Sequence, residues 1–250
     1  MEIISLTSAN IDTEHICCAI ADKKCSAGYE GKKKWLKDRF EQGYVFKKLD
    51  ARGKVFIQYG PAEYAWAPVS APGYTMIDCF WVSGQYKEKG YGKALYDECV
   101  ADSKDKNGII AVVGNKKLPF LSEKKFFQKN GFELCDTAPP YFELWYKRFK
   151  KDAPMPVFNA SVKNAVCDIP SGLVVYYTEG CPFTDFYVNT ELAEAAKEKN
   201  IPLLIKKITT MEEAQRHFVP FTIFSLFYNG KFVTHQILSK NSFEKFIALQ

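Results

Sequence analysis

The stretch IDCFWVSGQYKEKGYGKAL, residues 77–95, constrains the fold more than any other part of the chain. An apolar run of strand length enters a loop that holds Gly90 and Gly92 among Lys87, Lys89 and Lys93. Tyr91, Ala94, Leu95 and Cys99 then fall on one helical face. A strand feeding a glycine loop feeding a helix has a chemical consequence. The first turn of a helix leaves N–H groups unpaired at the positive end of its dipole. An anion is stabilised there if the backbone can come close. Gly90 and Gly92 remove the side chains that would block that approach and allow the φ values of a tight turn. The same letters also describe a solvated polar turn, so the loop by itself leaves two readings open. Two phosphate loops are excluded: there is no GxxxxGK[ST], and the one GxG lacks the last glycine of GxGxxG.

The residues around this junction are strongly patterned. Ile3–Leu6 reads as a short strand, Asn10 or Asp12 as the cap of a first helix, and Tyr29–Gln42 as a second helix stopped by Gly43. Tyr44–Leu49, Val55–Tyr59, Tyr64–Val69 and Tyr74–Val82 are β runs broken by turn chemistry, which predicts an antiparallel meander. The helix after the loop ends at Asn107-Gly108, and Ile109–Val113 reads as a strand buried on both faces. Ser122 opens another helix that closes at Asn130-Gly131, and Phe132–Leu134 and Tyr141–Tyr146 supply the last strands of this half.

Residues 149–170 hold three prolines and no period, which predicts a linker and a boundary near Asp152. The pattern then restarts: strand Leu173–Tyr177, helix Pro182–Lys199, strand Pro202–Ile208, and a short helix capped by Thr209 or Thr210. Phe221–Tyr228 and Lys231–His235 form a hairpin turning at Asn229-Gly230, and Asn241–Leu249 closes the chain as a helix. The expected domains are therefore 1–150 and 171–250, joined by 151–170.

Composition narrows the function classes. With 47% hydrophobic and 15% aromatic residues, there is ample material for a core. The net charge of +5 favours anionic ligands weakly, and no basic stripe interleaves with aromatics, so nucleic acid is not an expected partner. No stretch approaches the ~18 apolar residues of a membrane span, and no signal peptide is visible, so no membrane partner is expected either. The eight cysteines are irregularly spaced without a CxxC, which fits reduced thiols in a cytoplasmic protein and no metal centre. The adjacent Cys17 and Cys18 read as small buried residues rather than a zinc half-site.

At Lys87-Glu-Lys-Gly90-Tyr-Gly92 the sequence resembles the GNAT acetyltransferases, which carry [RQ]xxGx[GA] between a strand and a helix. WLKDRFEQG at 35–43, IDCFWV at 77–82, IIAVV at 109–113 and FFQKNGFEL at 126–134 match in the same order, so the resemblance spans about residues 1–148. It implies an α+β (α/β) fold: a mixed, mostly antiparallel twisted sheet with flanking helices. It implies acetyl-CoA as co-substrate, with its pyrophosphate on Lys87, Glu88, Lys89, Gly90, Tyr91, Gly92 and Lys93. The pantetheine arm would pair with Phe80, Trp81 and Val82, where a backbone N–H would also polarise the thioester carbonyl. The acceptor would be an amine of a small molecule or of a protein, attacking the thioester directly. Two departures stand out. Lys87 replaces the usual Arg or Gln and can meet a phosphate only as a point charge. Phe127 stands where many relatives have a tyrosine that protonates the leaving thiolate. Asp78 and Glu63 are the candidate bases. Asp78 is favoured because it alternates with Phe80 and Val82 on one strand face, although a charge-paired structural carboxylate would look the same.

In the second half, Thr178-Glu-Gly-Cys181-Pro-Phe-Thr184 lies between a strand and a helix, where a dipole would lower a thiol pKa. The element order, with Val219-Pro220 before the hairpin, resembles thioredoxin-like folds, and such a tail behind an acetyltransferase resembles the YoaP-like group. Thr184 stands where the second cysteine of a dithiol motif would be, which excludes dithiol chemistry within the motif. Cys181 is therefore a candidate for single-thiol catalysis, or an inert structural residue. Three functions follow: an N-acetyltransferase, an acyl-CoA-binding sensor with little turnover, or a thiol module centred on Cys181.

Overall fold

The computed structural model describes residues 2–16 and 19–248, so the Cys17–Cys18 pair lies outside the described residues. The first half is built on a seven-stranded sheet. In chain order its elements are β1 (Ile3–Leu6), α1 (Ser26–Phe40), β2 (Val45–Leu49), β3 (Val55–Pro61), the two-residue β4 (Val69–Ser70) and β5 (Tyr74–Val82). They continue with α2 (Tyr91–Asp102), β6 (Gly108–Gly114), α3 (Lys124–Lys129), β7 (Glu133–Ala138) and β8 (Phe142–Arg148). The strand order is β1-β2-β3-β5-β6-β8-β7, and every neighbouring pair is antiparallel except β5 with β6. This is the mixed sheet with flanking helices that the motif order implies.

Among the described residues, two expected elements are absent. Residues 8–13 form turns rather than a helix, and Asn10 Oδ1 accepts from the Thr7 N–H at 2.8 Å instead of capping one. The aromatic run at 64–69 is not a strand of the sheet: Ala62–Tyr64 is a single 3-10 turn, and only Val69–Ser70 pairs, with β9 (Val157–Phe158). Trp66 there packs against Trp35 of α1 at 5.5 Å between centroids. Packing of the two indoles overrides the β propensity of the run.

The parallel pair positions the site. β5 and β6 are hydrogen-bonded only from Tyr74–Gly108 to Ile77–Ala111. Beyond that point β5 stays with β3 and β6 with β8, so the sheet opens into a wedge. On one face, α2 and α3 cover Ile57, Ile77, Ile109 and Val113 with Leu95, Cys99 and Phe127. On the other face lie α1, through Trp35 and Leu36, and the second half of the chain.

That second half forms a four-stranded sheet in the order β11-β10-β12-β13, from β10 (Leu173–Tyr177), β11 (Leu203–Lys207), β12 (Phe224–Tyr228) and β13 (Lys231–Thr234). β10 and β11 are parallel and the other pairs antiparallel. The connecting helix runs as α4 (Thr184–Phe186), a π-helical stretch Tyr187–Leu192 and α5 (Ala193–Glu198). α6 (Met211–Gln215) begins in a capping box of Thr210 and Glu213, and α7 (Lys240–Ile247) closes the described chain. One face of this sheet packs on the first: Val174, Tyr176, Val219 and Phe227 share a continuous core with Tyr74, Met76, Ile110 and Phe142. Val162, Ala165 and Cys167 enter the same core, so residues 151–170 are tied down by β9 and by burial. No helix among the described residues is long and apolar enough to cross a membrane.

Candidate active site

The glycine loop folds as a left-handed curl. Gly84, Glu88 and Gly90 all have positive φ, at 56°, 60° and 81°. A Cβ on Gly90 would meet nothing within 4 Å, so the glycine serves backbone conformation rather than space. Gly90 is the N-cap of α2 and supplies no side chain, so no side chain caps the first turn. Lys87 and Lys89 are exposed, and Lys93 is held by an ion pair to Asp97 one turn on.

A cleft of about 810 Å³ opens over this loop. Phe80, Trp81, Val82, Lys87, Glu88, Gly90, Tyr91, Gly92 and Lys93 all line it, whereas Lys89 does not. The opposite wall was not legible in the motif: it is Lys117–Glu123 with Lys125, Phe126 and Lys129 of α3. Lys125 and Lys129 are four apart, a helical spacing that could have marked a cationic stripe. Phe127 forms part of the floor but is fully buried, 5.0 Å from Phe132 between ring centroids.

Asp78 sits at the mouth of the wedge. Gln58 pairs with Cys79 and Tyr59 with Ile77, so Asp78 is the extra residue of a β-bulge. This corrects the alternation expected for β5. Phe80 and Val82 pack in the same core as Ile77, on the α2 side, because the inserted residue reverses the parity. Asp78 instead lines a second, smaller cavity with Trp35, Gln58 and Trp66. Burial pushes its carboxyl up to about 7, against the opposing effects of the Lys32 charge and the Gln58 amide. Lys32 Nζ donates to Gln58 Oε1 at 2.6 Å and lies 4.3 Å from the Trp35 ring. Among the described residues nothing donates to Asp78 Oδ2. Glu63 is elsewhere: its exposed carboxylate accepts from the Gly73 N–H at 2.5 Å and staples a turn.

The two cavities share Phe120, Leu121 and Ser122. One strand, β5, therefore carries the cleft lining at Phe80–Val82 and the carboxylate of the small cavity at Asp78.

Three comparisons bear on the chain as a whole. The Acetyltransferase (GNAT) family model matches residues 12–132, and the YoaP-like model matches residues 202–245. The chain is 43% identical over 246 residues, 98% of its length and 97% of the other protein's, to "Uncharacterized N-acetyltransferase YoaP" of Bacillus subtilis (strain 168). The chain belongs to the GNAT acetyltransferase family. This GNAT chain also carries a YoaP-like domain at its C-terminal end. Among solved structures it is similar to a GNAT acetyltransferase of Staphylococcus aureus Mu50, with TM-score 0.42 and 15% identity over 60% of this chain and 99% of that one. It is similar also to the PaiA N-acetyltransferase of Thermoplasma acidophilum, solved with coenzyme A, with TM-score 0.41 and 18% identity over 59% and 99%.

Cys181 of this GNAT chain does not have the environment expected of it. Burial pushes its thiol up to about 12, the reverse of a dipole-activated thiol, against the opposing effects of a backbone bond from Phe183 and the Lys32 charge. α4 does not begin until Thr184, whose hydroxyl donates to Thr178 O at 2.7 Å and holds the loop shut. The carbonyl of Pro182 presses on α1, where a Cβ on Gly28 would lie 2.2 Å from it. The cysteine loop is a joint between the two halves.

Proposed function

We propose that the large cleft takes acetyl-CoA and that the wedge delivers its thioester to an amine beside Asp78. The observation that carries this reading is Asp78 itself: a bulged carboxylate with its Oδ2 unpaired, raised to about 7, two residues along β5 from the cleft lining at Phe80. The uncapped first turn of α2 suits the pyrophosphate, with Lys87 and Lys93 as point charges. Lys117, Lys125 and Lys129 suit the nucleotide phosphate on the facing wall. The edge of β5 that β6 leaves behind offers backbone groups to the pantetheine amides at Phe80, Trp81 and Val82.

The chemistry then follows from what these residues can do. The acceptor nitrogen bonds to the thioester carbon, the C–S bond breaks, and the amine proton passes to Asp78. A base near neutrality is matched to the operating pH, and such a group contributes ~10²–10⁴ in rate. A thiolate with a pKa of about 8.5 leaves without strong acid help, so a buried phenylalanine at position 127 does not bar turnover. Ser122 is the hydroxyl that both cavities share and can relay to the departing sulfur the proton that Asp78 takes from the amine. This favours an enzyme over an acyl-CoA sensor. Coenzyme A titrated in a calorimeter should bind at submillimolar concentration, and CoA release in the presence of amines should depend on Asp78. No binding at that concentration sinks the reading.

For organisation, we take residues 1–150 as the acetyltransferase unit, 151–170 as a packed connection and 171–250 as the second unit. A parallel β10–β11 pair joined through a helix and followed by an antiparallel hairpin supports a thioredoxin-like topology for the latter. The raised thiol of Cys181 argues for a structural role there.

A further inference from the structure

The small cavity has walls from both halves of the chain. Trp35, Gln58, Trp66 and Asp78 form one side, and Thr178, Gly180, Pro220, Phe221, Thr222 and Ile223 form the other. The second set is fastened down. Thr222 Oγ1 donates to Trp66 O at 2.5 Å, and Gln215 Nε2 donates to Glu63 O at 2.9 Å and Ala65 O at 3.2 Å. His235 Nε2 meets Pro119 O at 2.8 Å beside the shared wall of the two cavities. The cysteine loop, which follows Thr178 and Gly180 of that wall, packs on α1 at Gly28.

Three polar atoms of the first set lack partners: Asp78 Oδ2, Trp35 Nε1 and Trp66 Nε1. One is an acceptor and two are donors, and a buried polar group left unpaired costs about 1–3 kcal/mol. Their joint presence around one cavity is the signature of a ligand that supplies both kinds of bond. A cationic amine fits Asp78. An oxygen acceptor a few bonds away fits the indole N–H groups. The cavity volume is about 60 Å³. At the ~10–15 Å³ that one water needs on the same measure, it holds roughly four to six heavy atoms.

We infer that the second domain roofs the acceptor site, and that the acceptor is a small primary amine carrying an oxygen acceptor, of amino-acid or amino-alcohol size, rather than a protein amine. This rests on the acetyltransfer reading above. A cavity of about 60 Å³ takes an amine of that size and little more, which selects against the longer chain of a polypeptide. The indoles select oxygen-bearing amines over plain alkylamines, because a site built to hydrogen-bond an oxygen rejects the analogue that lacks it.

The test uses the full chain, with acetyl-CoA and four acceptors: glycine, ethanolamine, n-propylamine and a tetrapeptide beginning with glycine. The kcat/KM for glycine or ethanolamine should exceed that for propylamine by at least about 10-fold and that for the tetrapeptide by at least about 100-fold. Trp66→Phe, which keeps an aromatic ring but removes the pyrrole with its N–H, should bring the better oxygen-bearing amine down to the propylamine level. Ile223→Trp should raise KM for every small amine, while the calorimetric affinity for coenzyme A stays as in wild type. Equal use of the tetrapeptide, equal use of propylamine, or coenzyme A bound with no small amine acetylated overturns this inference alone. Failure of the wild type to bind coenzyme A overturns the acetyltransfer reading and this inference with it.

Discussion

The molecule contains two strand–loop–helix junctions that look alike as text and differ in what they do. The first, from Val82 to Tyr91, curls through three positive-φ residues and leaves the start of α2 uncapped toward an 810 Å³ cleft. The second, from Tyr177 to Thr184, is held shut by the Thr184 hydroxyl and pressed under α1. Both place glycine and a chemically useful residue before a helix. The difference teaches that a helix N-terminus is a ligand site only where the tertiary packing leaves it open. Where the same feature is buried, desolvation outweighs the dipole, and the thiol of Cys181 goes up to about 12 instead of down.

The largest effect expected lies between the two junctions. Asp78→Asn should lower kcat by ~10²–10⁴ with coenzyme A affinity unchanged in calorimetry. In the wild type, kcat/KM should rise with pH along a limb near pH 7, since the carboxyl must be ionised to accept a proton and its pKa is about 7. The stability linkage has the opposite sense. The folded pKa is raised above the ordinary 3.8, so the folded chain binds this proton more tightly and loses stability as pH rises from there through about 7. Thermal melts of Asp78→Asn should therefore gain on the wild type as pH rises from the ordinary 3.8 to about 7, the window between the two pKa values. A flat difference would remove Asp78 from the buried-base role.

The next effect is on the thiol. Alkylation of Cys181 at neutral pH should run ~10²–10³ slower than that of an ordinary exposed thiol. Rapid labelling at pH 6 would erase the contrast between the loops and restore Cys181 as a reactive centre. Gly28→Ala forces a Cβ to within 2.2 Å of the Pro182 carbonyl, so it should cost about 1–3 kcal/mol in chemical denaturation without touching coenzyme A affinity. Gly90→Ala is its mirror. It meets no neighbour, but a Cβ disfavours φ of 81° by about 1–2 kcal/mol; the free loop relaxes from that φ and binding must restore it, so coenzyme A affinity should fall ~5–30-fold while the melt changes little. The smallest effects belong to Lys125→Ala and Lys129→Ala, at ~2–5-fold each in affinity and fading with added salt.

Much of the fold was legible because its elements are locally consistent. β5 and β10 occur at the residues their apolar runs mark, and Thr210, one of the two expected caps, caps α6. The Asn229-Gly230 turn has φ of 48° and 77°, as a two-residue hairpin needs. The aromatic run at 64–69 misled because a β-rich composition does not distinguish a strand from a loop packed on indoles. The lining of the cleft was legible from one contiguous motif. The α3 wall was not, since Lys125 and Lys129 become part of a site only when the wedge brings them opposite the loop. Asp78 was named from its place on β5, but the alternation argument for it fails at the bulge, which no spacing in the sequence announces.

The sequence by itself determined the order of elements, the glycine loop and the family, because those depend on local propensity and on contiguous residues. Tertiary structure decided which helix start stays open, where Asp78 points, and that the second sheet shares a core with the first. The physical reason is burial. Desolvation raises the pKa values of Asp78 and Cys181, and the small cavity exists only where Thr178, Gly180 and residues 220–223 meet Trp35 and Trp66 across the fold.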